Sequence, residues 1–359
     1  MVSAAGSMQR DALGLSTPFA PAVSPIETRL AEIWAEALGV DAIGADDDYY
    51  ELGGSSLQGI EIFLRIEEEF GVRLPLSALV ERPTIRRIAA LIAETGGGDA
   101  WSCLVALQPQ GSRPPLFCVH DLSGNVVVYR RLAECLGPEQ PFYGLQYPGQ
   151  DRIPLEVLSI EALAARYIAA IRHRQPSGPY HLSGFSIGGL IAFEMACQLV
   201  AAGERVALLA LLDGWAPGFP AEGWAKLRDH LSELLHRNPL RWPTYLRQRA
   251  FYWWDRRGQF RSKQVGAVIS GIDPLLWQRI LPEAKATYVP QPYPGTIDLF
   301  RCSEDTVLWR RAPELGWHGL AAGITIHDVP ATHQNLMSDP AVRIVAERLA
   351  RCLAARATG

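Results

Sequence analysis

Residues 180–189 read Tyr180-His181-Leu182-Ser183-Gly184-Phe185-Ser186-Ile187-Gly188-Gly189, and this stretch decides the fold. Its middle five residues match G-x-S-x-G, a pattern that composition alone produces in roughly one chain in ten of this length. The neighbours carry the signal. Tyr180 to Ser183 has the apolar character of a strand, and Leu190, Phe193, Ala196 and Leu199 mark one face of a helix that follows. A serine on a sharp turn between strand and helix has its hydroxyl held up at the sheet edge. Gly184 and Gly188 let that turn tighten, and Gly189 lets the helix pack closely.

Outward from this turn the chain alternates. Before it come the apolar run 116–119, a helical stretch from Tyr129 to Gly137, the run 141–145 and a helix over Ile160 to His173; after it come a helix from Ile187 to Ala202 and a strand from Val206 to Leu212. Alternation of this kind predicts a parallel α/β sheet. An interruption over about 216–286 precedes two more strands, Thr296 to Arg301 and Ile324 to Val329, and a closing helix over Pro340 to Leu353.

A serine hydroxyl is a poor nucleophile near neutral pH and needs a base within hydrogen-bond reach, itself held by a carboxylate. Chain order after Ser186 limits the choice. Asp213 ends one strand, while Glu304 and Asp305 follow the next, and the residues alone divide evenly between these two acid positions. For the base, His318 lies in a helical-looking stretch and His327 inside a strand, whereas His333 occupies the loop after a strand. His333 is therefore the expected base. The oxyanion of a tetrahedral intermediate also needs donors. The backbone N–H of Ile187 is one, and Leu122, in the loop 120–125, is the expected second.

The first hundred residues differ. A Pro/Ala/Ser-rich stretch at 17–24 and the Gly run at 96–98 bracket a helical segment with 14 acids against 6 arginines over 20–95. Ser24-Pro25-Ile26-Glu27 is a capping box with proline at the first helical position, and Gly39 closes that helix. A second helix is predicted over Ser56 to Phe70 with Gly71 as its stop, and a third begins near Thr84. Ser55 or Ser56 can serve simply as the cap of the second. The four expected parts are a flexible segment 1–20, a helical domain 21–95, a linker 96–113 and an α/β domain 114–357.

A net charge of -4 disfavours nucleic acid as partner, and no apolar run is long enough to predict a membrane span. The six scattered cysteines, with no CxxC, predict reduced thiols and a cytoplasmic protein.

Two resemblances sharpen these expectations. Leu52-Gly53-Gly54-Ser55-Ser56-Leu57 resembles the L-G-G-x-S-L attachment motif of peptidyl and acyl carrier domains, which implies a small all-α four-helix domain bearing 4′-phosphopantetheine on Ser56. Residues 114–353 resemble the type I thioesterase domain that ends nonribosomal peptide and polyketide synthases. The motifs are FCVH at 117–120, GLQYPGQ at 144–150, QPSGPYHLSGFSIGG at 175–189, AFEMA at 192–196, LLD at 211–213 and HQNLM at 333–337. That likeness implies an α/β-hydrolase domain with a helical lid at about 216–286, Asp213 as the acid, and HDLSGN at 120–125 where many relatives have H-P-x-G-G.

Together the halves resemble the terminal unit of an assembly line. The implied partners are upstream condensation and adenylation modules, a phosphopantetheinyl transferase, and an acyl or peptidyl chain released as a free acid, lactam or lactone. A polyketide origin, a non-catalytic cargo-holding unit and a lipid esterase are the competing readings. Between 221 and 263 ten Lys and Arg stand against four acids, a basic face suited to an acidic carrier.

Overall fold

A computed structural model describes residues 8–72, 74–95, 103–147, 159–217, 219, 283–304 and 313–357. The expected lid lies almost wholly outside the described residues, as do residues 1–7 and Asp305. The chain divides into two units near residue 102.

In the N-terminal unit, sequence punctuation sets each helix. Helix α1 (Pro25–Leu38) opens with the reciprocal Ser24 and Glu27 capping box and ends at Gly39, whose φ of 69° is the left-handed conformation that glycine adopts without a Cβ clash. Helix α2 (Ser56–Phe70) is capped by Ser55, whose side chain accepts from the Gln58 N–H. The short α3 (Ala78–Glu81) and α4 (Ile85–Thr95) complete four helices among the described residues. Leu30, Ile33, Trp34, Tyr49, Ile62, Ile66, Ile85 and Ile88 bury completely, with the Trp34 and Tyr49 rings edge to face at 5.2 Å.

Residues 8–20, expected as a flexible segment, instead pack on this unit. Arg10 donates to both carboxylate oxygens of the buried Asp47, at 2.6 and 2.7 Å, and Ser16 hydrogen-bonds Glu51. Apolar residues are scattered irregularly among polar ones over 8–20, so the stretch has no periodic pattern that would reveal the single arginine's role.

The second unit is a seven-stranded sheet in the order β1-β3-β2-β4-β5-β6-β7. The strands are β1 (Leu104–Gln108), β2 (Leu116–Val119), β3 (Phe142–Leu145), β4 (Tyr180–Phe185), β5 (Val206–Leu212), β6 (Tyr293–Cys302) and β7 (Ala321–Val329). All neighbours run parallel except β1, which pairs antiparallel with β3. Strand β1 falls where the sequence predicts linker, because an edge strand that buries only Val105 has little apolar signature.

Helices α5 (Arg130–Leu136) and α8 (Ala341–Ala357) share a core with Leu116, Cys118, Leu208, Ala210, Leu212 and Phe300 on one face. Helices α6 (Ile160–Arg174) and α7 (Ile187–Ala201) pack against each other. Every residue of β2, β3 and β4 is buried, as central strands covered on both faces require. From β2 the chain steps outward to β3 and returns on the other side as β4, so the loops after β2 and β4 diverge at the carboxyl ends of adjacent strands. Such a switch point forms a ready-made cleft.

Candidate active site

Ser186 follows the last residue of β4 and directly precedes α7, with φ 58° and ψ -122°. This sparsely populated backbone conformation is held from both sides: the Ser186 N–H donates to Leu212 O of the neighbouring strand, and the Gly189 N–H returns to Ser186 O. The glycines are sterically required. A Cβ on Gly184 would lie 2.1 Å from Gly188 O, and one on Gly188 would lie 2.3 Å from His120 O.

Three side chains from separate strand ends converge here. His333 Nε2 stands 3.1 Å from Ser186 Oγ, and His333 Nδ1 stands 2.6 Å from Asp213 Oδ2. Asp213 is completely buried, and its other oxygen accepts from the Cys302 N–H at 3.1 Å. A buried carboxylate satisfied on both oxygens fixes the imidazole with its proton on Nδ1 and its lone pair on Nε2, aimed at the serine hydroxyl. This arrangement can take a proton from Ser186 as its oxygen attacks a carbonyl and return it to a leaving group.

Glu304 is exposed. The two other candidate bases are engaged elsewhere. His318 pairs with Glu314, four residues earlier in a turn. His327 bonds Asp298 at 2.9 Å, and Cys352 lies 3.5 Å from the same carboxylate oxygen. Those three residues have the donor types of a metal centre. Arg356 holds the second Asp298 oxygen at 2.5 Å, however, so both oxygens are already paired and the group acts as a polar clamp between β6, β7 and α8.

Ile187 is the first residue of α7, where opening N–H groups have no intrahelical acceptor. Leu122 lies in a turn closed by the Gly124 N–H on Asp121 O, with Asp121 Oδ1 also accepting from the Ser123 N–H at 2.9 Å. Sequence reading overlooked two aromatic neighbours of the base. Phe185 stacks on His333 with ring centres 4.8 Å apart, and Trp215 lies 5.6 Å from it. Their only available signal was adjacency to Ser186 and Asp213.

In the helical unit, Ser55 supplies the cap, so the simple capping role does not fall to Ser56. Ser56 opens a 15-residue helix, and Leu57 beside it is 56% exposed. A helix start of this kind fits a phosphodiester, because its unpaired N–H groups and dipole favour an anion. The Gly54 turn before it presses on Tyr49, whose ring would lie 2.4 Å from an added Cβ.

No helix among the described residues is long and apolar enough to cross a membrane. None of the six cysteines forms a disulfide; three are buried and Cys103, Cys135 and Cys197 are only half-buried.

Comparison with known proteins agrees with the division into a helical unit and an α/β unit. Residues 28–92 match the family model described as a phosphopantetheine attachment site. The dimodular nonribosomal peptide synthase of Bacillus subtilis (strain 168) is 37% identical over 220 residues, 60% of this chain and 9% of that protein. The chain spans between 2% and 9% of the curated relatives it matches first. A four-domain nonribosomal peptide synthetase, solved in its holo form with AMP and glycine, is 26% identical with a TM-score of 0.54, covering 94% of this chain and 26% of that one. The NocB thioesterase domain, as a covalent complex with a fluorophosphonate nocardicin G analog, shares the fold at 24% identity and a TM-score of 0.51, covering 70% of this chain and 99% of that one. Residues 114–352 match the thioesterase domain model, and on that match the chain belongs to the thioesterase domain family, with a phosphopantetheine carrier domain ahead of it.

Proposed function

We propose that this chain is the terminal carrier and thioesterase unit of a nonribosomal peptide synthetase, and that it offloads the finished chain. The observation that carries this reading is the Ser186–His333–Asp213 hydrogen-bond series in a chain that also holds a carrier domain. Ser56 is the residue assigned to hold 4′-phosphopantetheine, which supplies a long arm ending in a thiol that binds acyl or peptidyl cargo as a thioester. Tethering raises the effective concentration of that cargo at the thioesterase domain.

The steps at the second site belong to the chain's own residues. Ser186 Oγ attacks the thioester carbonyl while His333 Nε2 takes its proton. Asp213 stabilises the imidazolium and holds its tautomer. The N–H groups of Ile187 and Leu122 are assigned to the oxyanion, where losing one donor typically costs about 10² to 10³ in rate. His333 then gives the proton to the departing thiol sulfur, leaving an ester on Ser186. A water or an internal amine or hydroxyl of the cargo, deprotonated by His333, attacks that ester and releases an acid or a ring as His333 returns the proton to the departing Ser186 Oγ. Upstream synthetase modules and a phosphopantetheinyl transferase are the partners this requires, and the cytoplasm is the compartment assigned to it.

A serine-directed fluorophosphonate tests the nucleophile and base together. Wild type is expected to gain one adduct that maps to Ser186, and His333→Ala is expected to slow labelling at least about 10³-fold. Labelling at another serine, or unaffected labelling in His333→Ala, would overturn the assignment.

A further inference from the structure

The ladder between β2 and β4 ends at the pair Val119 and Gly184. Beyond it the two strands part, β2 into the turn that carries Leu122 and β4 into the elbow that carries Ser186 and Ile187. One side chain bridges the parting strands. The hydroxyl of Tyr129, which ends a 3-10 turn at Val127–Tyr129 just before α5, donates to Val119 O at 2.5 Å and accepts from the Phe185 N–H at 2.7 Å. It thus takes the place of the next rung.

The chemistry of this bridge is specific to a phenol. Tyr129 is fully buried, and burial raises its pKa well above the ordinary tyrosine value, so the group stays neutral and donates and accepts at once. Its ring rests near Phe142, at 5.9 Å, which fixes the hydroxyl from behind. A second contact sets the same spacing nearby, since Gly188 leaves no room for a Cβ against Val119 O and His120 O. Leu122 lies three residues past Val119, and Ile187 two past Phe185. The bridge therefore ties together the two backbone segments that bear the assigned oxyanion donors.

We propose that Tyr129 is a positioning residue that sets the separation of the Leu122 and Ile187 N–H groups and so the fit of the oxyanion site to the tetrahedral intermediate. This inference rests on the thioesterase reading of Ser186. Removing the hydroxyl leaves the nucleophile, base and acid in place but frees the strands to move apart, so transition-state stabilisation falls more than substrate binding.

The test compares wild type, Tyr129→Phe and Ser186→Ala in the full chain, using hydrolysis of a small acyl thioester and inhibition by an alkylboronic acid that forms a tetrahedral adduct on serine. Tyr129→Phe is expected to lower kcat by about 10- to 100-fold with KM within about twofold, and to weaken the boronic acid by the same factor. The apparent pKa in the pH profile of kcat/KM is expected to stay where it is in wild type, because His333 is untouched. Lower kcat with unchanged boronic acid affinity, or a shifted pH profile, would show only a structural role and overturn the proposal, as would wild-type values throughout. Should Tyr129→Phe fail to fold, 4-aminophenylalanine placed at 129 keeps the donor and weakens the acceptor; an equal fall in kcat and boronic acid affinity is expected, and unchanged values would overturn the proposal. Turnover surviving in Ser186→Ala would instead overturn the thioesterase assignment of Ser186, an outcome separate from any result at Tyr129.

Discussion

Asp213 owes its position to backbone as much as to side chain. Its N–H donates to Phe300 O at 2.7 Å, its φ is 47°, and the carboxylate is thereby turned from the end of β5 toward His333. Asparagine at this position keeps the shape but presents an N–H₂ group or a neutral oxygen to Nδ1, so the imidazole loses the tautomer it needs. Asp213→Asn is expected to lower kcat by about 10³- to 10⁴-fold with little change in thermal stability. Glu304→Gln is expected to leave kcat near wild type, and a reversal of these two results in steady-state assays would return the acid to the end of β6. The serine was legible because strand, glycines and helix surround it in sequence. The acid was not, because choosing between two strand ends needs the sheet order and the imidazole's direction, which only the assembled strands give.

At the scale of elements, α8 is fastened to the sheet by apolar burial and by the clamp at its last turns. Val342, Val345 and Leu349 bury completely, and Arg356 reaches Asp298 of β6, which also bonds His327 of β7. Replacing Asp298 with alanine removes the carboxylate that Arg356 and His327 share. Because Arg356 retains some solvent contact, the loss falls below that of a fully buried pair, and a decrease of about 1–3 kcal/mol in unfolding free energy is expected by urea titration. An unchanged midpoint would remove the clamp from the list of supports. The sequence placed α8, β6 and β7 through their apolar runs, although β6 and β7 begin about three residues earlier, since pairing reaches back to Tyr293 and Ala321 past Gly295 and Gly323, which interrupt the apolar pattern. Strand β1 and the packed residues 8–20 escaped for the opposite reason. Their order comes from a partner strand and from the Arg10–Asp47 pair, and neither leaves a periodic mark.

For the whole molecule, the two units carry different titratable weak points. Burial pushes the imidazoles of His120 and His181 below their ordinary value of 6.5, so both stay neutral in the folded α/β unit while the unfolded chain takes up protons. Stability of that unit is therefore full above about pH 6.5 and falls as pH drops below it. In the helical unit, hydrogen bonds from Arg86 and Arg29 hold the carboxyls of Asp46 and Glu69 below their ordinary values. Their contribution is present above about pH 4 and is lost as pH falls through the lower folded values. Calorimetry between about pH 7.5 and 3 is expected to show the transition of the α/β unit moving down first, with the helical unit following only below about pH 4, and His181→Leu is expected to flatten the first trend. Two transitions moving together across that range would contradict it. The division into an acidic helical part and an α/β part was plain from composition, whereas these buried imidazoles could not be told from exposed ones until the strands were assembled.

The transfer of cargo from Ser56 to Ser186 is the claim on which the rest depends. The most direct test loads the chain with an acyl-phosphopantetheine group, using a phosphopantetheinyl transferase, and follows the acyl mass by peptide mapping in wild type and Ser186→Ala. The predicted result is that the group attaches at the peptide containing Ser56, that its cargo leaves within the assay in wild type, and that the cargo stays in Ser186→Ala. Attachment elsewhere, or cargo leaving at equal rates from both proteins, would contradict it.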